Sequence, residues 1–179
     1  YSEAAALAES GLLLNVPPRW QSRIKLQVAE NWRLAGENNL ALQWYDRIRN
    51  DDPNWEEIPR VLAGTGECKA GLKDFQAAFS LLEQAASLEQ RPREKAEFLV
   101  RGAELCRDVH LYDQGLAMID TLDKQVGRDR VPDLAPRVQL ALAFLWGDKG
   151  DLARAATEFQ RLLDMYPNAE KERPQALFQ

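Results

Sequence analysis

At 179 residues the chain suits one compact domain or a short repeat array, with ample length to bury a core. It is 45% hydrophobic and 28% charged, with a formal net charge of −5. Its lysines and arginines are scattered among acids, which argues against a surface that tracks nucleic-acid phosphates. No apolar run approaches the roughly 20 residues of a membrane span, and "AAALAESGLLL" is broken by Glu9 and Ser10 and lacks a basic leader, so no direct membrane insertion is expected.

Taken in chain order, the apolar periodicity predicts helices separated by short turns and polar links. "YSEAAALAESGLLLNVPP" opens the chain, with Ala4, Ala8 and Gly11 in small, large and small positions. "WQSRIKLQVAENWRLAG" leads through a turn at Gly36 into "GENNLALQWYDRIRNDDP", which Pro53 closes. The acidic link around Trp55 lacks the alternating Asp-x-Asp-x-Asp-Gly spacing of a calcium loop, and capping and solvation explain it. "IPRVLAGTGECKAG" and "KDFQAAFSLLEQAASLEQ" form the next pair, "REKAEFLVRGAELCRDV" and "HLYDQGLAMIDTLDKQVG" a third. After the longer link "GRDRVPDLAP" come "APRVQLALAFLWGDKG" and "GDLARAATEFQRLLDMYP", closed by Pro167. "EKERPQALFQ" reads as the start of a further helix.

One register runs through these pairs. The small residue of each second helix is Ala41, Ala78, Gly115 and Ala155, at intervals of 37, 37 and 40. Four residues on stand Tyr45, Leu82, Ile119 and Phe159, and three beyond those Ile48, Ala85, Leu122 and Leu162. Steps of four and three put all of them on one helical face. Helix pairs of this kind bury their apolar faces by stacking on their neighbours.

The residues that usually carry chemistry are absent or isolated. Cys68 and Cys106 lie 38 residues apart inside apolar stretches, with no zinc ligand set, and read as small buried hydrophobes. His110 is the sole histidine, and no serine or cysteine stands beside it to build a nucleophilic triad. No catalytic, cofactor or metal residue is assigned.

With its glycine, alanine, aromatic and proline frame, the sequence resembles the tetratricopeptide repeat family. The last repeat matches through Gly150, Leu152, Ala155, Phe159, Leu162 and Pro167, and the first through Gly36, Ala41, Tyr45 and Pro53. The second keeps Gly66, Leu62, Phe75 and Ala78. The third has His110 for the turn glycine and Gly115 for the central alanine, with Tyr112 in place. The resemblance implies an all-α solenoid of antiparallel helix pairs curled into a right-handed superhelix. A single array is expected: 1–16 as the second helix of a truncated repeat, full repeats at 22–58, 59–95, 96–135 and 136–169, and 170–179 beginning another helix. Neither end carries the polar cap with which arrays finish, so the chain is expected to be an excerpt lacking the native N-terminus. The spacing looks like that of bacterial envelope repeat proteins, and location stays open between cytoplasm and bacterial periplasm or envelope.

By the same resemblance the first helices line a concave groove that docks a protein or peptide. Carried over by position, the candidate groove residues are Arg23, Gln27, Glu30, Arg33, Arg60, Glu67, Arg101, Glu104, Arg107, Arg137 and Phe144. Glu30, Glu67 and Glu104 share one repeat position, and Arg23, Arg60 and Arg137 another. They are able to hold a peptide by charge-assisted hydrogen bonds, or to be solvated helix faces paired locally as Glu30 with Arg33 and Glu104 with Arg107. Leu26, Ala63, Val100 and Leu140 are also placed on the groove. Where chaperone-docking members hold a partner's C-terminal carboxylate, this chain has Leu26, Glu30 and Gly64, which disfavours that activity. Trp32 and Trp146 are expected between helices, whereas Trp44 and Trp55 are expected partly exposed, as a possible second contact surface. The function expected is a non-catalytic scaffold for a multiprotein assembly; the alternatives are a self-associating structural array or homo-oligomer, and the recognition arm of a larger bacterial envelope or signalling protein.

Overall fold

The computed structural model describes residues 1–12, 16–169 and 171–172, which form helices and no strands. The helices are α1 (Ser2–Leu12), α2 (Pro18–Leu34), α3 (Asn38–Asp51), α4 (Ile58–Gly71), α5 (Phe75–Leu88), α6 (Pro92–Asp108), α7 (Tyr112–Gln125), α8 (Ala135–Lys149) and α9 (Leu152–Met165). A 3-10 turn, Arg128–Arg130, sits in the long link before α8. The further helix expected over 170–179 lies outside the described residues, apart from a turn at 171–172.

The starts and stops of these helices are written in local chemistry. Each first helix, α2, α4, α6 and α8, carries proline at its first or second position, where the missing N–H has no intrahelical partner to lose and the fixed φ is already helical. Each stops at a residue in the left-handed region: Gly36 (φ 82°), Lys73 (φ 67°), His110 (φ 62°) and Gly150 (φ 97°). One residue further on, the amide donates to the carbonyl five back, as Glu37 to Trp32, Asp74 to Lys69, Leu111 to Cys106 and Asp151 to Trp146, at 2.8–2.9 Å. The same closed turn recurs four times and sends each second helix back along the first.

The chain divides into two compact units, residues 1–88 and 89–179. In the first, each helix from α1 to α5 packs on the next, and α2 also meets α4. Its core joins Leu26, Ala29, Ala41, Tyr45, Ile48, Val61 and Cys68, with Trp32, Leu42, Trp44, Trp55 and Ile58 packed around them. In the second, α6 to α9 pack in succession and α6 also meets α8. Ile119, Leu122, Leu145 and Leu162 are fully enclosed there. Burial of each such side chain stabilises by about 1.5–3 kcal/mol. Both units are therefore stacks of antiparallel helix pairs, an all-α solenoid construction in which the second-helix faces marked by the repeat register turn inward.

The small residues of that register have a steric reason. A Cβ on Gly115 would come within 2.8 Å of Leu145 Cδ2 and 3.1 Å of the Ala103 carbonyl, so glycine there lets α7 sit against α6 and α8 at once. Gly64 is pressed by the Tyr45 ring, whose Cζ would lie 2.5 Å from an added Cβ.

One expectation holds and another changes. Trp44 is half-buried against the core, and its Nε1 donates to Glu9 Oε1 at 2.9 Å; Trp32 Nε1 donates to the same oxygen at 2.7 Å. The α1 carboxylate thus bridges both indoles, and Trp44 keeps part of its surface exposed, as expected. Leu26, Ala63, Val100 and Leu140 are buried, because neighbouring helices close over positions that the resemblance placed on the open groove.

Candidate functional site

Six predicted residues lie in the first unit. Arg23 is exposed and stands 5.7 Å from the Trp20 ring; Gln27, also exposed, donates to Asn31 Oδ1 at 3.3 Å. The other four form one ionic cluster across two successive first helices. Arg33 on α2 bonds Glu30 at 2.6 Å and also reaches forward to Glu67 on α4, while Arg60 on α4 reaches back to Glu30 at 3.7 Å. Burial works to lower the Arg33 pKa, but the hydrogen bond and charge of Glu30 outweigh it and the pKa is raised. Directly beneath lies Tyr45, its phenol pushed up by burial and then by Glu30. Burial likewise lifts the Cys68 thiol to about 11, which keeps it protonated and unreactive at neutral pH.

Five predicted residues lie in the second unit and repeat the scheme with one change. Arg137 on α8 reaches back to Glu104 on α6 in a two-pronged contact, Nε to Oε1 at 2.8 Å and Nη2 to Oε2 at 2.6 Å, and also bonds Glu97 at 2.7 Å. Those bonds, led by Glu104, raise its pKa against the cost of burial. Arg101 bonds Glu97 within α6 at 2.8 Å. Arg107 reaches forward as Arg33 does, but meets Phe144 where Arg33 meets Glu67. Its guanidinium lies 4.0 Å from the Phe144 ring centre and is anchored by Asp148 at 2.5 Å.

The local pairing of Glu104 with Arg107 expected from sequence therefore gives way to pairing between helices. Stacking brings Arg137 and Asp148 nearer than the helical neighbours are. In both units the arginine of the next first helix reaches back to the glutamate of the one before, so these charges pair across successive first helices.

Phe144 breaks the acidic column and leaves a recess. Between α6 and α8 lies a pocket of about 170 Å³, floored by Ala103, Leu140 and Ala141, walled by Phe144 and rimmed by Glu104, Arg107, Asp108 and Arg137. Every lining residue belongs to a first helix. Phe144 is set by an edge-to-face contact with Phe159, 5.3 Å between centres at 83°. Sequence reading found Arg107 and Phe144 but missed their coupling and the part of Asp148. It also missed a polar knot on the other side of α8, where Arg128 bonds Asp123 and Gln139 while Gln139 donates to Glu158. The lengthened link before α8 was the only signal for it.

Among the described residues no cluster of histidine, cysteine and carboxylate groups is arranged to hold a metal ion, and no helix is long and apolar enough to cross a membrane.

No protein-family model and no curated protein matches the sequence. Solved structures do. "MamA RS-1 ArsTM double mutant" is 16% identical at a TM-score of 0.66, covering 88% of this chain and 82% of its own. "MamA 41-end from Desulfovibrio magneticus RS-1" is 13% identical at 0.64, covering 88% and 89%. YrrB, whose structure is described as "a TPR protein with an unusual peptide-binding site", is 13% identical at 0.67, covering 93% and 78%. At such identities the likeness is one of architecture. The chain has a tetratricopeptide-repeat-like fold.

Proposed function

We propose that the chain is a non-catalytic protein-interaction module that takes an extended peptide or partner segment on its first-helix faces, as a scaffold for a multiprotein assembly. The observation that carries this reading is the recess between α6 and α8, an apolar floor with a charged rim built wholly from first helices. The peptide-binding site named for YrrB supports it by analogy of fold. Of the predicted residues, Phe144, Arg107 and Arg101 are proposed as direct contacts. Arg33, Glu30, Glu67 and Arg137 act mainly by fixing the surface.

Panning the 179-residue chain against a random dodecapeptide phage library tests the proposal. Enriched peptides whose binding is lost in Phe144→Glu or Arg101→Glu support it. Failure to enrich any peptide, or binding indifferent to both substitutions, sinks it.

Self-association is the second reading, favoured by large apolar residues on the terminal helices: Leu7 on α1 and Leu152 and Met165 on α9 are all mostly exposed. It predicts a mass in light scattering that rises with concentration and falls back in Leu152→Asp with Met165→Asp.

A further inference from the structure

The pocket between α6 and α8 carries more chemical detail than peptide binding in general. We propose that it receives one apolar side chain of the partner peptide, and that Asp108 on its rim takes a lysine or arginine next to that side chain. The inference rests on the peptide-binding reading and names the partner's chemistry.

Size and lining argue for the apolar anchor. A cavity of about 150 Å³ lined by apolar groups accepts a benzene-sized guest, and this one is about 170 Å³. That suits a single leucine, methionine or phenylalanine side chain. Its floor is Ala103, Leu140 and Ala141, all buried, and its wall is Phe144. Glutamate in place of Phe144 would restore the pattern of Glu30, Glu67 and Glu104 and draw Arg107 into an ion pair across the opening, as Arg33 and Glu67 are drawn together. The aromatic instead turns Arg107 into a lid edge, stacked on the ring and tied to Asp148.

The charges on the rim argue for the basic neighbour. Both cations there are already committed, Arg107 to Asp148 and Arg137 to Glu97 and Glu104. Asp108 lines the same pocket, is exposed, and has no cation partner among the described residues. An incoming carboxylate would meet committed arginines and a free aspartate, whereas an incoming ammonium or guanidinium group meets an open acceptor.

The test uses the panned dodecapeptides and, as a defined probe, an acetylated Gly-Ser-Leu-Lys-Ser-Gly peptide followed by NMR titration of the full chain. Expected are amide shifts around Ala103, Asp108, Leu140 and Phe144. Affinity should fall about tenfold or more when the probe's leucine becomes alanine, and several-fold when its lysine becomes glutamate. Asp108→Asn, a surface change that leaves the packing alone, should erase the preference for lysine over glutamate while keeping the preference for leucine. Phe144→Glu should abolish both. If panned peptides lose binding in Arg101→Glu but ignore Asp108→Asn and Phe144→Glu, or if alanine serves as well as leucine, the assignment of this pocket is overturned while peptide binding stands. If no peptide binds anywhere, the underlying reading falls with it.

Discussion

Gly64 and Tyr45 face each other at the centre of the first unit, and the fit is tight enough to predict opposite outcomes for two small changes. A methyl group on Gly64 meets the enclosed Tyr45 ring, which has no space to retreat into, so Gly64→Ala should cost about 1–3 kcal/mol in chemical denaturation. Tyr45→Phe should be neutral or slightly stabilising, because the buried hydroxyl has no well-formed hydrogen bond to lose. A large loss in Tyr45→Phe would show that the hydroxyl is held by the Arg33 cluster after all. Glu89 gives a pH prediction. Burial works to raise its pKa, but bonds from the Arg91 guanidinium and from the Arg91 and Gln90 amides win, and the carboxyl lies below its ordinary value. A depressed folded pKa means stability that is complete above the unfolded pKa near 4.5 and is lost as pH falls through the folded value. Glu89→Gln should therefore flatten the acid limb of the stability curve below about pH 4.5 and lower stability above it, as read from midpoints across a pH series.

Turns and helix pairs are the elements whose logic was most visible in sequence. Gly36, Lys73, His110 and Gly150 open the four repeat frames, and all four adopt the left-handed conformation, including the two that are not glycine. Register marked where the turns fall, but no left-handed conformation was read from the sequence at Lys73, whose residue type gives no sign of it. Because that conformation costs a side-chain-bearing residue about 1 kcal/mol, Lys73→Gly should stabilise and Gly150→Ala destabilise by amounts of that order. Equal and opposite shifts in thermal midpoint are the check. The apolar face carried by Ala41, Tyr45 and Ile48 was equally legible, since period alone fixes it. The ion pairs were not. Arg33 with Glu67 and Arg137 with Glu104 join residues more than thirty positions apart, and only the stacking of one helix pair on the next decides whether an arginine turns to its own helix or to the neighbour's. A double-mutant cycle of Arg33→Ala with Glu67→Ala should give a coupling of about 0.5–1.5 kcal/mol, more than an exposed pair supplies, because both side chains are mostly shielded. Coupling indistinguishable from zero would return these charges to the solvent and to possible ligands.

For the whole molecule the relevant quantities are its net charge of −5 and the uneven use of that charge. Most arginines near the first-helix faces are neutralised by partners, so the long-range field is set by surplus carboxylates such as Asp108. A basic partner is then drawn in by a field that salt screens, over about 10 Å at 0.1 M and about 3 Å at 1 M, and held by an apolar anchor that salt leaves intact. The two contributions separate in one titration. Affinity for the Leu-Lys probe should fall several-fold between about 0.05 and about 1 M sodium chloride, chiefly through a slower association rate, and then level off. In Asp108→Asn the salt dependence should shrink, and the plateau at high salt should match that of the parent chain, since the apolar pocket is unchanged. With Phe144→Glu the plateau itself should disappear. Affinity that climbs steadily with salt in the parent chain would mean that the rim charges repel the partner, and the basic half of its assignment would have to be given up.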